Sequence, residues 1–325
     1  MKPQPLAHWG LNTSRLVFGC MGLGGDWTNG PITKEHVHQA EQVTEAALEA
    51  GISMFDHADI YRSGKAELVF GQMLKARPSL RDNMIIQSKC GIRFADGDVP
   101  GRYDFSKDYI LNSVEGILKR LGIETLDILL LHRPDPLMEP DEVAEVIETL
   151  YTSGKVKRFG VSNMSAGQIR FLQQASSQPF IVNQLEISLA HLHFLDQGVH
   201  INQEAGTSVN FADGLLEHCH TEHIQLQAWS PLAKGIFSGQ PIDGASEAVR
   251  QTAALVAKLA QQKETSQEAI VLGWLMRHPS RIQPVIGTTN LQRIVACRDA
   301  ERQADLMTRE EWYQLYVSAR GVKLP

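Results

Sequence analysis

The chain reads as a single α/β domain of 325 residues, a (β/α)8 TIM barrel spanning 1–325 with an extra C-terminal helix and a long loop after strand 6. Three observations predict it. Eight short apolar runs alternate with amphipathic stretches of helical period, the pattern of parallel strands joined by right-handed crossovers. No change of composition near the middle marks two separate sheets. Polar, titratable residues stand at the C-terminal ends of successive runs, the end at which such barrels carry their sites.

The strand-like runs are residues 16–21, 53–57, 84–89, 126–132, 159–162, 181–186, 224–229 and 282–286. Between them lie helix candidates at 33–50, 66–76, 107–121, 140–153 and 166–175, with Ser106 expected to cap the third and Ser165 to form a capping box with Gln168. Residues 191–213 exceed an ordinary connection and precede a helix at 214–223, so they are expected to shape a substrate pocket. The tail forms a helix at 309–319 capped by Thr308, followed by Gly321.

Composition narrows the function classes. The apolar share of 43% and charged share of 21% are those of a globular protein with a sizeable core. A net charge of −6 with scattered Lys and Arg lacks the basic face of a nucleic-acid binder. The four cysteines, Cys20, Cys90, Cys219 and Cys297, form no Cys-x-x-Cys pair and read as buried thiols in a reducing compartment. The opening residues carry no apolar leader and no run is long enough to span a membrane, so a cytoplasmic protein without membrane or nucleic-acid partners is expected, a monomer or weak oligomer acting on a small molecule.

The segment 53–61, Ser-Met-Phe-Asp-His-Ala-Asp-Ile-Tyr, sets Asp56 on a strand and Tyr61 just past its end. At about 3.3 Å per residue, a strand and turn of this length bring both to the rim of one cavity. Lys89 and His132 close the next two runs. A nearby ammonium lowers a phenol's pKa, so Lys89 is expected to bring Tyr61 down from its ordinary value, with Asp56 as counter-charge to the lysine. His132 would orient a carbonyl oxygen against the phenol. Such a site delivers a proton to an oxygen as charge develops, and it contains no nucleophile, so the electrons come from elsewhere.

Asp56, Tyr61, Lys89 and His132 at the ends of strands two, three and four resemble the catalytic tetrad of the aldo-keto reductase superfamily. The resemblance extends over nearly the whole chain. Gly160-Val-Ser-Asn163 resembles the fifth-strand motif whose Ser162 and Asn163 would hold a nicotinamide carboxamide, with Gln184 of the sixth strand reaching it too. Ala228-Trp-Ser-Pro-Leu232 resembles the motif in which an aromatic, here Trp229, stacks on the nicotinamide while Ser230, Pro231 and Leu232 cover the pyrophosphate. Gly287, Thr288 and Thr289 with Arg293 resemble the adenosine-phosphate site. The runs at 89–92, 132–136 and 228–232 are most similar to a bacterial oxidoreductase subgroup typified by YdhF. The resemblance implies an NADP(H)-dependent reductase of the carbonyl reductase or alcohol dehydrogenase type, with Tyr61 as general acid. Three positions depart from the family pattern: Trp229 where Tyr or Phe is usual, Gly287 where many members carry Lys, and His57 after Asp56 where small residues are common. Arg293 with Thr288 and Thr289 is left to read the 2′-phosphate, and NADP(H) remains the expected cofactor.

Trp27 is expected to line the substrate pocket, with Phe94 and Arg133 as further candidates. The glycines at 19, 22, 24 and 25 do not make a dinucleotide loop, because the third glycine of Gly-x-Gly-x-x-Gly would fall on Trp27. Two other functions keep part of this reading: a nucleotide-sensing barrel like the family's channel-associated β subunits, and a metal-dependent barrel hydrolase built on Asp56, His57, Asp59 and His132. Against the latter, Asp56 and His57 point to opposite faces of one strand, and His218, His220 and His223 read as a solvated helix face rather than a metal site.

Overall fold

A computed structural model describes residues 3–325; Met1 and Lys2, which belong to the opening segment read above, lie outside the described residues. Eight parallel strands close into a barrel: β1 Val17–Gly19, β2 Met54–Asp56, β3 Ile85–Cys90, β6 Leu126–Leu131, β7 Val156–Ser162, β8 Phe180–Glu186, β9 Gln225–Trp229 and β10 Gln283–Ile286, with β4 Ile92–Arg93 and β5 Arg102–Tyr103 forming a separate antiparallel hairpin. All eight expected runs are barrel strands, several of them shorter than the apolar run that marked them. The hairpin, inserted between β3 and the helix Lys107–Leu121, was not foreseen.

The core divides at the barrel wall. Outward-facing side chains such as Phe18, Phe55, Ile86 and Leu129 pack on the helical layer, whereas Val17, Met54, Ile128, Leu130, Val182 and Val285 form a second cluster. Strand alternation produces this division, and it also sends Asp56 and His57 to opposite sides. Gly160 is required by the same packing: a Cβ there would lie 2.5 Å from Leu130 Cδ2 and 2.8 Å from Val182 O.

The helix caps differ in part from expectation. Ser165 and Gln168 make the capping box, and Thr33 with His36 and Thr308 with Glu311 make two more. Ser106 does not cap with its side chain; its hydroxyl donates to Asp104, and the Lys107 backbone N–H is instead satisfied by Glu142 Oε1 at 2.8 Å. Glu142 reaches there because the helix Pro140–Thr152 packs beside Lys107–Leu121.

Residues 191–213 are not an open loop. They contain the helix His193–Val199 and a 3-10 turn at Glu204–Ser208, fastened to the C-terminal helix Arg309–Arg320. Asp196 accepts from the Tyr316 hydroxyl at 2.6 Å and from Arg320 Nε at 2.9 Å, and Phe194 meets Trp274 edge-on. Trp274 and Trp312 stack at 5.3 Å, each indole N–H donating to the other's carbonyl at 3.1 Å. The tail helix is thereby bonded to the segment after β8. No helix among the described residues is long and apolar enough to cross a membrane.

Candidate active site

The site forms where parallel register aligns three strand ends. Asp56 pairs with Gly19 on one side and Gln87 on the other, and the backbone N–H of His57, Asp59 and His132 continue the ladders past the strand ends onto the carbonyls of Gln87, Lys89 and Cys90. Lys89 is wholly buried and its ammonium makes three contacts: Asp56 Oδ2 at 2.7 Å, His57 O at 2.9 Å and the Tyr61 hydroxyl at 3.0 Å. The Tyr61 and His132 rings meet edge-on with centroids 6.2 Å apart. The structure therefore brings together all four residues that the sequence singled out.

The electrostatics of this group differ from the simplest expectation. Burial alone would lower Lys89, but Asp56 and Tyr61 outweigh it and the ammonium is held above its ordinary range. For Tyr61 burial is the largest influence and raises the phenol, more than Lys89 lowers it. The expected lowering is thus overturned: the strand-end site withdraws the phenol from water more effectively than one ammonium, itself neutralised by Asp56, can stabilise a phenolate. His132 is pushed well below its ordinary value by burial, then by Lys89 and Arg133, so its imidazole is neutral. Its buried Nδ1 has no partner, which favours the tautomer protonated at Nε2.

Asp56, Tyr61 and His132 open onto a cavity of about 550 Å3 whose wall continues through Ser162, Asn163, Gln184 and Trp229 to Ser230, Pro231, Leu232, Gly287, Thr288 and Arg293. The polar side chains in it are held before any ligand arrives. Ser162 Oγ donates to Gln184 O at 2.9 Å, Asn163 Nδ2 donates to Ser162 Oγ at 2.8 Å, and the Trp229 indole donates to Asn163 Oδ1 at 3.2 Å. Ser230, Ala233 and Lys234 all have positive φ, between 45° and 59°, a strain that side-chain-bearing residues adopt at ligand clamps. Arg293 is steadied by Ser238 O at 3.3 Å and Glu268 at 3.8 Å while lining the same cavity.

Trp27 and Arg133 also lie on the wall, Trp27 with nearly half its surface open and Arg133 with its guanidinium 5.9 Å from the Trp229 ring. Three expected residues or segments do not. Phe94 follows the β4 strand, is 54% exposed and lies off the wall, because the hairpin carries it outward. Thr289 lies off the wall, its methyl directed to Gly22, while Gly287 and Thr288 remain on it. The segment 191–213 contributes nothing to the wall, since its helix is committed to Tyr316 and Arg320. Sequence reasoning passed over Met21, Ile60, Lys234 and Glu268, which line the cavity. Of these only Lys234, two residues beyond the strand-seven motif, carried a signal that spacing could have caught. His57 lies on the outer face, buried edge-on against Phe70 with both ring nitrogens unpartnered, away from the cavity that Asp56 faces.

Comparison with known proteins places this geometry in a family. The model of the Aldo/keto reductase family matches residues 15–312. The chain is similar to a 6-dehydroglucose reductase of Agrobacterium fabrum, 37% identical over 317 residues and 96% of each chain, and to the oxidoreductase YdhF of Escherichia coli, 35% identical over 323 residues and 98% of each chain. Among solved structures, an aldo-keto reductase from Klebsiella pneumoniae in complex with NADPH shares the fold with a TM-score of 0.71 at 21% identity, covering 93% of this chain and 90% of that one. The chain belongs to the aldo/keto reductase family.

Proposed function

We propose that this family member is an NADP(H)-dependent reductase of a polar, hydroxyl-bearing aldehyde or ketone, with Tyr61 as the general acid. The observation that carries the reading is the shared cavity: the Tyr61 hydroxyl, tied to the buried Lys89–Asp56 pair, opens onto the same space as the Ser162, Asn163, Gln184 and Trp229 wall and Arg293. That wall fits a dinucleotide. Ser162, Asn163 and Gln184 offer amide-binding groups, the Trp229 ring a stacking face, the strained 230–235 loop with Lys234 a cover for a pyrophosphate, and Arg293 a fork for a 2′-phosphate. NADPH held there supplies the hydride.

The chain's own residues supply the rest. His132, neutral, donates from Nε2 to the substrate oxygen and holds it beside the phenol. As negative charge gathers on that oxygen, Tyr61 gives up its proton, and the ammonium of Lys89 at 3.0 Å stabilises the phenolate left behind. Asp56 keeps Lys89 charged, and the His57 carbonyl fixes its direction. A phenol raised by burial remains a donor throughout the neutral range, which suits reduction.

The polar substrate follows from the cation beside the acid. Arg133 shares the cavity wall with His132, its guanidinium meets the Trp229 ring, and it forms no ion pair among the described residues. A guanidinium that meets the Trp229 ring but no carboxylate favours a substrate that brings hydroxyl or acidic oxygens. The Agrobacterium fabrum relative is named for its action on such a compound, 6-dehydroglucose. The test is a panel of sugar aldehydes, 6-dehydroglucose among them, and aryl aldehydes, followed by NADPH absorbance for wild type and Arg133→Ala. A sugar preference lost in the variant supports the reading; an aryl preference indifferent to Arg133 overturns it.

A further inference from the structure

The interior of a barrel of this kind is usually filled by branched apolar side chains, yet here five glutamines of the barrel strands are buried, and four of them, all but Gln225, join one network. Gln87, Gln184, Gln227 and Gln283 stand on β3, β8, β9 and β10, and the register aligns Gln184 with Gln227 and Gln227 with Gln283. Buried amides need partners, and these find most of theirs in one another, although the buried Gln87 Oε1 is left without one. Gln283 Nε2 donates to Ser14 O at 2.7 Å, Gln227 Nε2 donates to Gln283 Oε1 at 3.1 Å, and Gln227 Oε1 accepts from Gln87 and Gln184, each at 2.9 Å. The second N–H of each of those two goes to Asp56 Oδ1, at 2.6 Å from Gln87 and 3.1 Å from Gln184.

The direction of the chain follows from its far end. A backbone carbonyl only accepts, so Gln283 must turn its nitrogen to Ser14 and its oxygen to Gln227. Gln227 must then offer its nitrogen to Gln283 and its oxygen to Gln87 and Gln184. Those two must in turn present nitrogen to both Gln227 and Asp56. Gln184, which lines the cavity, is left with only its oxygen to present there.

We propose that Gln227 and Gln283 are positioning residues, which through this one-way chain of amides lock the Gln184 oxygen as an acceptor toward the cofactor. The inference rests on the proposed docking of a nicotinamide carboxamide against Gln184. Reversing one amide in the chain sets nitrogen against nitrogen or oxygen against Asp56, so the orientation is shared by all members rather than set at each site.

The test measures NADPH dissociation constants by quenching of tryptophan fluorescence in wild type, Gln184→Leu, Gln227→Leu and the double variant, with melting temperatures alongside. The expected result is an affinity loss of about tenfold in Gln227→Leu, the scale of one hydrogen bond, and no further loss when it is added to Gln184→Leu. Val146→Ala, a core substitution on the helix Pro140–Thr152 outside the barrel, should lower the melting temperature without moving the dissociation constant. Losses that add in the double variant, or Gln227→Leu binding like wild type while Gln184→Leu is weakened, overturn the chain. Unchanged binding in Gln184→Leu overturns it too, but leaves NADPH use standing. Failure of wild type to bind NADPH sinks the function reading itself. Should Gln227→Leu not fold, Gln283→Leu is read by the same criteria.

Discussion

Replacing Tyr61 with Phe removes one oxygen from the centre of the proposed chemistry and little else. The lost contact is the 3.0 Å hydrogen bond from Lys89, whose ammonium keeps Asp56 at 2.7 Å and the His57 carbonyl at 2.9 Å. The ion pair therefore survives, and the stability cost is that of one hydrogen bond, about 1 kcal/mol. The rate cost is larger. Loss of a positioned general acid removes about 10²- to 10⁴-fold, which at about 1.36 kcal/mol per decade is about 2.7 to 5.4 kcal/mol of transition-state stabilisation. The cofactor wall of Ser162, Asn163, Gln184 and Trp229 is bonded within itself and not through the phenol, so NADPH affinity should change less than twofold or so. Steady-state kcat from nicotinamide absorbance, paired with a fluorescence titration of NADPH, separates the two effects. A Tyr61→Phe enzyme within about tenfold of wild type would refute the assignment, since no general acid costs so little.

Other consequences follow from the same geometry. With His132 pushed well below 6.5 and Tyr61 raised above 10, neither changes protonation between those values, so kcat for carbonyl reduction should be flat from pH 6.5 to 10 while alcohol oxidation, which needs the phenolate, climbs with pH; an inflection near neutrality in reduction would contradict this. Lys89→Met leaves Asp56 buried without its cation, but Gln87 and Gln184 still donate to Oδ1, so destabilisation should fall at the lower end of the about 3 to 5 kcal/mol for a broken buried pair, measured by chemical unfolding. Arg293→Ala should weaken NADPH by about 1.5 to 3 kcal/mol and NADH much less, as for a charged hydrogen bond to a 2′-phosphate; equal losses would show that Arg293 does not read it. Asp59 is raised from 3.8 to about 7 by burial and by Glu67, so the folded chain holds a proton that the unfolded chain has lost. Stability from this group is complete below 3.8 and is lost as pH rises toward 7, and Asp59→Asn should remove that slope in melting temperatures taken across the window.

Much of the fold was legible because a parallel barrel writes itself in a repeating code. Each strand is a short apolar run, each helix a 3.6-residue pattern, and a residue at the end of a run falls at the catalytic mouth whatever the register. Asp56, Lys89 and His132 were found in that way. What escaped depended on side chains meeting across the chain. Nothing local to Ser106 says that Asp104 will take its hydroxyl, or that Glu142, 35 residues on, will reach the Lys107 N–H. Residues 191–213 looked like a pocket loop because length and polarity are all that sequence shows. Their commitment to Tyr316 and Arg320 is a contact between segments more than a hundred residues apart.

The sign of the Tyr61 shift and the amide chain were hidden for a related reason. A spacing argument can place an ammonium near a phenol, but the direction of the shift depends on how much water the fold removes from both, and here burial outweighs the charge. The glutamines did leave a trace: Gln87 lies two residues before Lys89 and Gln227 two before Trp229, so each shares its neighbour's strand face. Polar residues at inward positions of a barrel strand are costly unless paired, which should have marked them as a set. Only the register, aligning 184 with 227 and 227 with 283, turns separate polar residues into one connected column. Register in a closed barrel depends on the stagger between all eight strands. A feature built on it is therefore a property of the assembled sheet, and the most local test of it is a substitution at Gln283, which reaches the site only through Gln227.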